Sequence, residues 1–426
     1  MVPSGWNDGR VGDLVSGLES GVSVNGEDRQ LAEGEKGVLK VSAVSYGAFD
    51  ENAVKAITSG EELKRAKTHP KKGQIIISRS NTEELVGASA YIESNFDSLF
   101  LPDKLWQTIP KTNSDMKWLS YVLASEHSRY TLSNLATGTS GSMKNITKGE
   151  LLGLKVSIPP LPEQRKIAKI LSTWDKAIAT TEKLIGTSKQ QKKALMQQLL
   201  TGKKRLRSLP KDGAETGKAF EGEWEEVKLS HLFDRMTEKN KGQSTNVVTI
   251  SAQHGLIRQQ EFFKKSVASE TLDNYFILRK GQFAYNKSYS NGYPMGAIKR
   301  LNRYEDAVVT SLYICFEIKD EAKTSSCFME QYFESGLLNR GLTKVAAEGG
   351  RAHGLLNVKP SDFMGLSLIV PTFDEQQKIA SVLTAADKDI EVIQAKLAHF
   401  KQEKKALMQQ LLTGKRRVKI DEVEAA

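Results

Sequence analysis

The sequence predicts an α+β fold: two mixed α/β globular domains separated by two long antiparallel coiled-coil helices, all related by an internal pseudo-twofold repeat. Three observations carry this reading. The twelve residues KKALMQQLLTGK occur twice without a change, at Lys192–Lys203 and Lys404–Lys415. The residues before them repeat at the same offset of 212, almost half of the 426-residue chain, which is the mark of a doubled molecule. Each larger segment ahead of them mixes alternating apolar runs with helical ones.

The first globular segment spans 1–157 and the second 220–369. GWNDGRVGDL (Gly5–Leu14) resembles EWEEVKLSHL (Glu223–Leu232), with Trp6 over Trp224 at an offset of 218. VSAVSYG, ending at Gly47, matches TISAQHG, ending at Gly255, and Gly73-Gln74 matches Gly281-Gln282, both at an offset of 208. Shifting offsets mean insertions and deletions between fixed framework points, so the segments share a fold and differ in their loops. GQIIISRS (Gly73–Ser80), GQFAYNKS (Gly281–Ser288) and VVTSLYICFEI (Val308–Ile318) alternate as strands do. SDMKWLSYVLAS (Ser114–Ser125) and SSCFMEQYFESGLL (Ser325–Leu338) have helical spacing.

The helical regions span 158–208 and 370–426, and the polar, Pro- and Gly-containing stretch 209–219 reads as a linker. IPPLPEQRKIAKILSTWDKAI (Ile158–Ile178) aligns without a gap on VPTFDEQQKIASVLTAADKDI (Val370–Ile390), placing Glu163, Gln164 and Asp175 over Glu375, Gln376 and Asp387. A repeat that admits no length change over about forty residues behaves as one helix of roughly 60 Å, because an insertion would rotate one face away from its partner. Leu383, Ile390, Leu397, Lys404 and Leu411 recur every seven residues, with Ala386, Ile393, Phe400 and Leu407 complementary to them. The first copy has Leu171, Ile178, Ile185, Lys192 and Leu199, with Trp174, Thr181, Ser188 and Leu195, a weaker seam in its middle. Lys192 and Lys404 fall on the seam, where a polar residue costs stability and can fix register. Gly202 and Gly414 suit the left-handed position that ends a helix, and Asp374 with Gln377 suits a cap at the start of the second. The second globular segment joins both the end of the first helix and the start of the second, so helices packed along their seams are expected to run antiparallel, with a domain at each end of the rod.

Composition narrows the function. The balance of 61 Lys and Arg against 51 Asp and Glu gives a net charge of +10, which suits a polyanion such as nucleic acid. Cys315 and Cys327 form neither a CxxC pair nor a disulfide framework, as in a reducing compartment. No apolar run approaches the roughly 18 to 20 residues of a membrane span, and the N-terminus has no signal-like core, so a soluble cytoplasmic protein without a membrane partner is expected. There is no GxxxxGK[ST] phosphate loop, no HExxH, no glycine-rich cofactor fingerprint, and none of the Asn/Asp-Pro-Pro-aromatic motif that amino-methylating enzymes place beside a target base. No metal site, cofactor site or catalytic residue is expected in this chain.

A pseudo-twofold pair of diverged domains suits duplex DNA, with each domain reading a different half-site and the helices setting the gap. At this point a resemblance joins the argument. The paired PLPEQRKIA and FDEQQKIA openings, the helices ending in LMQQLLTGKKR and LMQQLLTGKRR, and the two variable segments beginning with a Trp resemble the specificity subunits of type I restriction-modification systems along essentially the whole chain. The second copy departs only in its approach, PTFDEQ for PPLPEQ. The resemblance implies a non-catalytic subunit whose globular segments are target recognition domains for an asymmetric bipartite double-stranded DNA sequence. It also implies two methyltransferase subunits and restriction subunits as partners, with S-adenosylmethionine, ATP and Mg bound by those partners. The alternatives are a stand-alone bipartite DNA-binding regulator and a self-sufficient nuclease or methyltransferase with a degenerate motif.

Basic and amide side chains in corresponding loops are the candidates for DNA contact, since phosphates need positive charge and base edges need donors and acceptors. SRSNT (Ser78–Thr82) and NKSYSNGY (Asn286–Tyr293) follow corresponding strands and offer Arg79, Asn81, Asn286, Lys287, Tyr289 and Asn291. TGTSGSMKN (Thr137–Asn145) and EGGRAHGLLN (Glu348–Asn357) offer Lys144, Arg351 and His353. Ordinary polar, glycine-rich turns would have the same composition. The basic run Lys203–Lys211 suits either DNA phosphates or the negative end of the helix dipole. Ile167, Leu195 and Leu200 suit either a docking surface for methyltransferase subunits or a seam wider than two positions per heptad.

Overall fold

A four-stranded antiparallel sheet of one strand order is built twice. The computed structural model describes residues 3–138, 143–208, 217–251, 253–262, 271–346 and 356–420. The chain divides into unit 1, Met1–Glu182 with Lys396–Ala426, and unit 2, Lys183–Ala395. Each unit therefore holds one globular segment, the start of the long helix that follows it, and the end of the other long helix.

In unit 1 the strands β1 (Asn7–Arg10), β2 (Val15–Ser20), β3 (Ile75–Ser78), β4 (Ser80–Asn81), β5 (Ser89–Tyr91) and β6 (Leu105–Pro110) precede helix α1 (Met116–Ala124). Then come β7 (Lys144–Asn145), β8 (Lys155–Ile158) and the long helix α2 (Leu161–Leu199). Unit 2 contributes β9 (Glu225–Lys228), β10 (Phe233–Met236), β11 (Phe283–Asn286), β12 (Ala297–Arg300), β13 (Ile314–Ile318), α3 (Ser326–Glu334), β14 (Ser367–Val370) and the long helix α4 (Phe373–Leu411). The sheets run β2-β6-β3-β5 and β10-β13-β11-β12, and a separate ladder joins β1 to β8 and β9 to β14.

The centre of each sheet explains its sequence. Ile75 and Ile77 of β3 pack into one core with Trp118 and Leu119 of α1, while Ile76 faces a second core with Leu39 and Val54. Both faces are covered, so the strand reads as continuous apolar residues. Phe283 and Tyr285 of β11 likewise face the α3 core, with Ala284 turned to the other side. The run Val308–Ile318 differs from the single strand its alternation predicts. Asp306–Val309 pairs with Phe276–Arg279, a turn closes from Tyr313 N–H to the Thr310 carbonyl, and only then does β13 begin. Thr310 and Ser311 break the apolar run at that turn.

Both long helices have 39 residues, about 58 Å at 1.5 Å per residue. They end alike: Gly202 and Gly414 have φ of 69° and 66°, and Lys204 and Arg416 each donate their N–H to the carbonyl six residues back, Gln198 and Gln410, at 3.1 Å. Gly202 and Gly414 also donate to the Leu199 and Leu411 carbonyls at 3.4 Å, the inner bond of a Schellman turn, whose left-handed residue glycine supplies. Asp374 is not the cap, because α4 already begins at Phe373; its carboxylate lies in the first turn, where the helix dipole favours it. In unit 1, Ile167, Ala168 and Leu171 of α2 pack with Leu411 of α4, and in unit 2 Met196, Leu199 and Leu200 of α2 pack with Ile379, Ala380 and Leu383 of α4. The two helices run antiparallel in each unit. Among the described residues no helix is long and apolar enough to cross a membrane, and no group of three or more His, Cys, Asp or Glu is placed to hold a metal ion.

Candidate nucleic-acid interface and the clamps beneath it

The Glu-Gln pair that opens each long helix is buried in both units. Glu163 and Glu375 have side chains 1% exposed, and each receives a bidentate arginine from beyond the end of the other helix. Arg417 binds Glu163 with Nε and Nη2 at 2.8 Å, and its Nη1 donates to the Ser4 carbonyl at 2.6 Å. Arg205 binds Glu375 at 2.6 Å through the same two nitrogens and reaches the Gly222 carbonyl at 2.8 Å. Each guanidinium also lies over a tryptophan ring, Trp6 or Trp224. A Cβ at Gly414 would come within 2.3 Å of the Pro3 ring, so glycine there serves both the turn and a close approach, whereas at Gly202 a Cβ would make ordinary contact with the Trp224 ring at 3.4 Å.

Gln164 and Gln376 tie the same helix starts to the globular segments. Gln164 Oε1 accepts from the Asp115 N–H at 2.9 Å and its Nε2 donates to the Pro159 carbonyl at 2.9 Å. Gln376 does the same with the Ser325 N–H and the Pro371 carbonyl, both at 2.9 Å. Asp115 and Ser325 are the N-caps of α1 and α3, so the amide locks each of these helices onto a long helix.

The two seam lysines have partners. Lys192 Nζ lies 2.6 Å from Asp387 Oδ1, and Gln331 of α3 donates to Asp387 Oδ2 at 2.8 Å. Lys404 Nζ lies 2.5 Å from Asp175 Oδ1, and Tyr121 of α1 donates to Asp175 Oδ2 at 2.5 Å. Burial first, and then the Asp175 carboxylate, holds the Tyr121 phenol well above its usual range, so it stays a donor. Each lysine thus bridges antiparallel helices and reaches α3 or α1 through one shared aspartate.

The candidate DNA residues that are described lie beyond β3, on β4 and β7, and at the end of β11 and beyond it. Asn81 of β4 pairs in register with Lys144 of β7, and the Arg79 carbonyl accepts from Ile146 N–H at 2.9 Å, so Arg79, Asn81 and Lys144 converge. Arg79 commits Nε to the Asp103 carbonyl at 2.8 Å and Nη2 to its carboxylate at 3.3 Å. Asn81 donates to Ser78 Oγ at 3.3 Å and accepts from Thr82 N–H at 2.9 Å. In unit 2 the Lys287 carbonyl accepts from Leu356 N–H at 3.1 Å, the counterpart of the Arg79 bond. Asn286 accepts from Ser288 N–H at 3.0 Å and turns the chain into a tip closed by Ser290 and Tyr293, where Tyr289 and Asn291 are exposed. Arg351 and His353 lie outside the described residues, as do residues 209–216 of the linker.

Ile167 is 0% and Leu200 1% exposed, inside the two cores, and Leu195 is half-buried against the second. Their apolarity is explained by a seam widened by the globular segments, which leaves Ile167 and Leu200 no surface for a partner. In the basic run, Arg205 neutralises Glu375 instead of facing DNA or its own helix dipole. Sequence reasoning also missed Tyr46, exposed at a hairpin tip with φ of 34° and the Arg129 guanidinium 3.6 Å from its ring. A positive φ on a non-glycine residue is a strain usually kept for function. Its only signal was the alignment of SYG with QHG.

Residues 3–187 match the family described as the type I restriction modification DNA specificity domain. The chain is 25% identical over 434 aligned residues to the type I restriction enzyme MjaVIII specificity subunit of Methanocaldococcus jannaschii, covering 98% of this chain and 94% of that one. Its fold is similar to the crystal structure of a type I restriction-modification system S subunit from M. genitalium, with a TM-score of 0.54, 15% identity, and 96% of each chain covered. A second solved structure, described as the basis of complex assembly and conformational transition of the type I restriction-modification system, matches with a TM-score of 0.56 and 16% identity, covering 98% of this chain and 100% of that one.

Proposed function

We propose that the chain is a specificity subunit of a type I restriction-modification system, that it reads an asymmetric bipartite DNA target, one half with each unit, and that it carries methyltransferase and restriction subunits to it; the match of residues 3–187 to the specificity domain and the similarity of 98% of the chain to a type I specificity subunit support this. It is a non-catalytic subunit. Two methyltransferase subunits, one for each equivalent helix pair, supply S-adenosylmethionine chemistry on adenine, and ATP and Mg belong to the restriction machinery.

One observation carries the reading: the clamps repeat residue for residue, while the loops they support do not. Glu, Gln, Asp, Lys and Arg recur at an offset of 212 with the same bonds. Equivalent partners fit the repeated part, and two different DNA half-sites fit the diverged part. Arg79, Asn81 and Lys144 serve one half-site, and Asn286, Lys287, Tyr289 and Asn291 the other. Arg351 and His353 remain part of that second proposal on sequence grounds alone.

The test is co-expression with methyltransferase subunits, followed by mapping of methylated adenines. Exchanging Ser78–Thr82 for an unrelated loop should change one half of the methylated sequence and leave the other half intact. A change in both halves would overturn the modular assignment. Failure to form a stable complex with methyltransferase subunits would favour a stand-alone regulator, and methyl transfer or cleavage by the chain alone would favour a self-sufficient enzyme.

A further inference from the structure

The identical ends of the two long helices are buried unequally. In unit 2, Met196 is 8% and Leu200 1% exposed, inside one core with Tyr332 of α3. Their counterparts in unit 1, Met408 and Leu412, are only half-buried, and with Val122, Ala124 and Ser157 they line a groove of about 750 Å³. The helix residues are the same, so the difference lies in what covers them.

Unit 2 shows what fits that place. Tyr332 corresponds to Val122, because each follows the residue that donates to the seam aspartate, Gln331 to Asp387 and Tyr121 to Asp175. Ile369 corresponds to Ser157, the two lying opposite Glu226 and Asp8 in the matching ladders. Tyr332 is 5% exposed; burial holds its phenol above the usual range, and the oxygen takes a hydrogen bond from the Ile369 backbone N–H. A phenol ring thus lies between β14 and the core that holds Met196 and Leu200, and unit 1 has a valine in its stead. The groove offers little to an anion, since Lys401, Lys404 and Lys405 at its rim are paired with Glu182, Asp175 and Glu126. What it lacks is an apolar ring.

The groove opens onto a surface that is itself repeated. Lys405, Gln409 and Thr413 at its edge are exposed, as are Lys193, Gln197 and Thr201 in the other copy. Exposed positions accept most substitutions at little cost, so identity there points to one kind of protein surface meeting both copies. We infer that the groove receives a tyrosine-like side chain from the methyltransferase subunit carried by unit 1, its ring against Met408 and Leu412 and its hydroxyl at the Ser157 backbone. Aromatic residues seated in pockets dominate the energy of protein interfaces. Unit 2 fills the same place from its own chain, so its partner meets a closed surface there. The inference rests on the proposed function and adds to it the anchor of one partner.

Full-length protein with isotope-labelled methionine methyl groups is titrated with p-cresol, the tyrosine side chain as a free molecule. The Met408 methyl signal should shift, and the Met196 signal, from an identical stretch of helix, should not. Val122→Tyr gives unit 1 the ring that unit 2 already has. It should abolish the Met408 response, and titration with methyltransferase subunits should then show one site weakened about thirtyfold, the scale of a single aromatic anchor, and the other unchanged. An undisturbed Met196 signal reports that the variant is folded. If it is not, Ala124→Leu, at a half-buried position of the same groove, is the second variant and should reduce both responses. A Met408 signal that p-cresol leaves in place, a Met196 signal that moves equally, or folded variants that bind their partners as tightly as before would overturn the inference alone. An unaltered chain that binds no methyltransferase subunit would overturn the functional reading and the inference with it.

Discussion

The arginine clamps and the loops above them have diverged at very different rates within one chain. Glu163–Arg417 and Glu375–Arg205 keep the same atoms, the same bidentate geometry and the same tryptophan neighbour. The loops do not: unit 1 turns at Thr82–Gly87 after Asn81, whereas unit 2 extends through Tyr289 and Asn291 to a tip at Ser290–Tyr293. A buried charge tolerates little change, because either partner left alone in the core is costly, while an exposed loop tip pays nothing for a new side chain. Conservatism at the clamp is what lets the loop vary without moving the helix beneath it.

The clamps themselves differ in one atom, and that difference predicts the largest effect. In unit 1, Trp6 Nε1 also donates to Glu163 at 3.0 Å, whereas Trp224 Nε1 in unit 2 is buried without a hydrogen-bond partner. Arg205→Ala therefore strands Glu375, and a loss of about 3 to 5 kcal/mol is expected. Arg417→Ala leaves Glu163 its indole donor and should lose about 1.5 to 3 kcal/mol less, the scale of one hydrogen bond to a charged group. Native-state hydrogen exchange at the starts of α2 and α4 measures both. Equal losses would show that the tryptophan N–H contributes nothing.

Much of this architecture was legible in the sequence, for a physical reason. A helix pair cannot absorb an insertion, so the offset of 212 survived from Ile158 to the end of KKALMQQLLTGK and exposed the doubling. Glu163, Gln164 and Asp175 appeared as matched positions, yet their roles did not, since their partners Arg417, Asp115 and Lys404 lie 254, 49 and 229 residues away. Arg205 was hidden inside a basic run whose neighbours Lys203 and Lys204 are exposed, and no local pattern separates a clamp from a solvated charge. Ile167 and Leu200 misled for the opposite reason: heptad reading assumes that a helix meets one partner, and here the globular cores cover a second face. Among the candidate DNA residues only the correspondence of loops was readable, because base contacts depend on where the backbone aims each side chain.

The helix seams offer a second contrast of intermediate size. Trp174 and Phe400 meet edge to face in unit 1 with ring centroids 5.6 Å apart. At the same offset unit 2 has Ala386 and Ser188, so the identical helix ends are followed by seams of unequal strength. Trp174→Ala should cost about 2 kcal/mol, combining lost aromatic contact with partial loss of apolar burial. Exchange protection should fall around residues 171–178 of α2 and 397–404 of α4. Unchanged protection there would mean that the half-buried Lys404–Asp175 bridge, not the aromatic pair, sets the stability of that stretch.

The smallest effect tests whether surface charge takes any part in the asymmetry. Lys401 and Glu182 pair at 2.7 Å in unit 1, with side chains 55% and 49% exposed, whereas the corresponding residues of unit 2 are Lys189 and Gln394. Glu182→Gln gives unit 1 the uncharged residue that unit 2 already has. Side chains this exposed gain little from Coulomb attraction in water and lose rotamer freedom on pairing, so the expected loss is about 0.5 kcal/mol. It should shrink further at high salt, where exposed charges are screened. The same substitution logic applied to Asp387→Asn should give a larger loss that salt does not erase, because Lys192 is only 13% exposed and Gln331 loses its acceptor as well. If Glu182→Gln costs as much as Asp387→Asn, the difference between the two seams is electrostatic, and the aromatic pair is not its source.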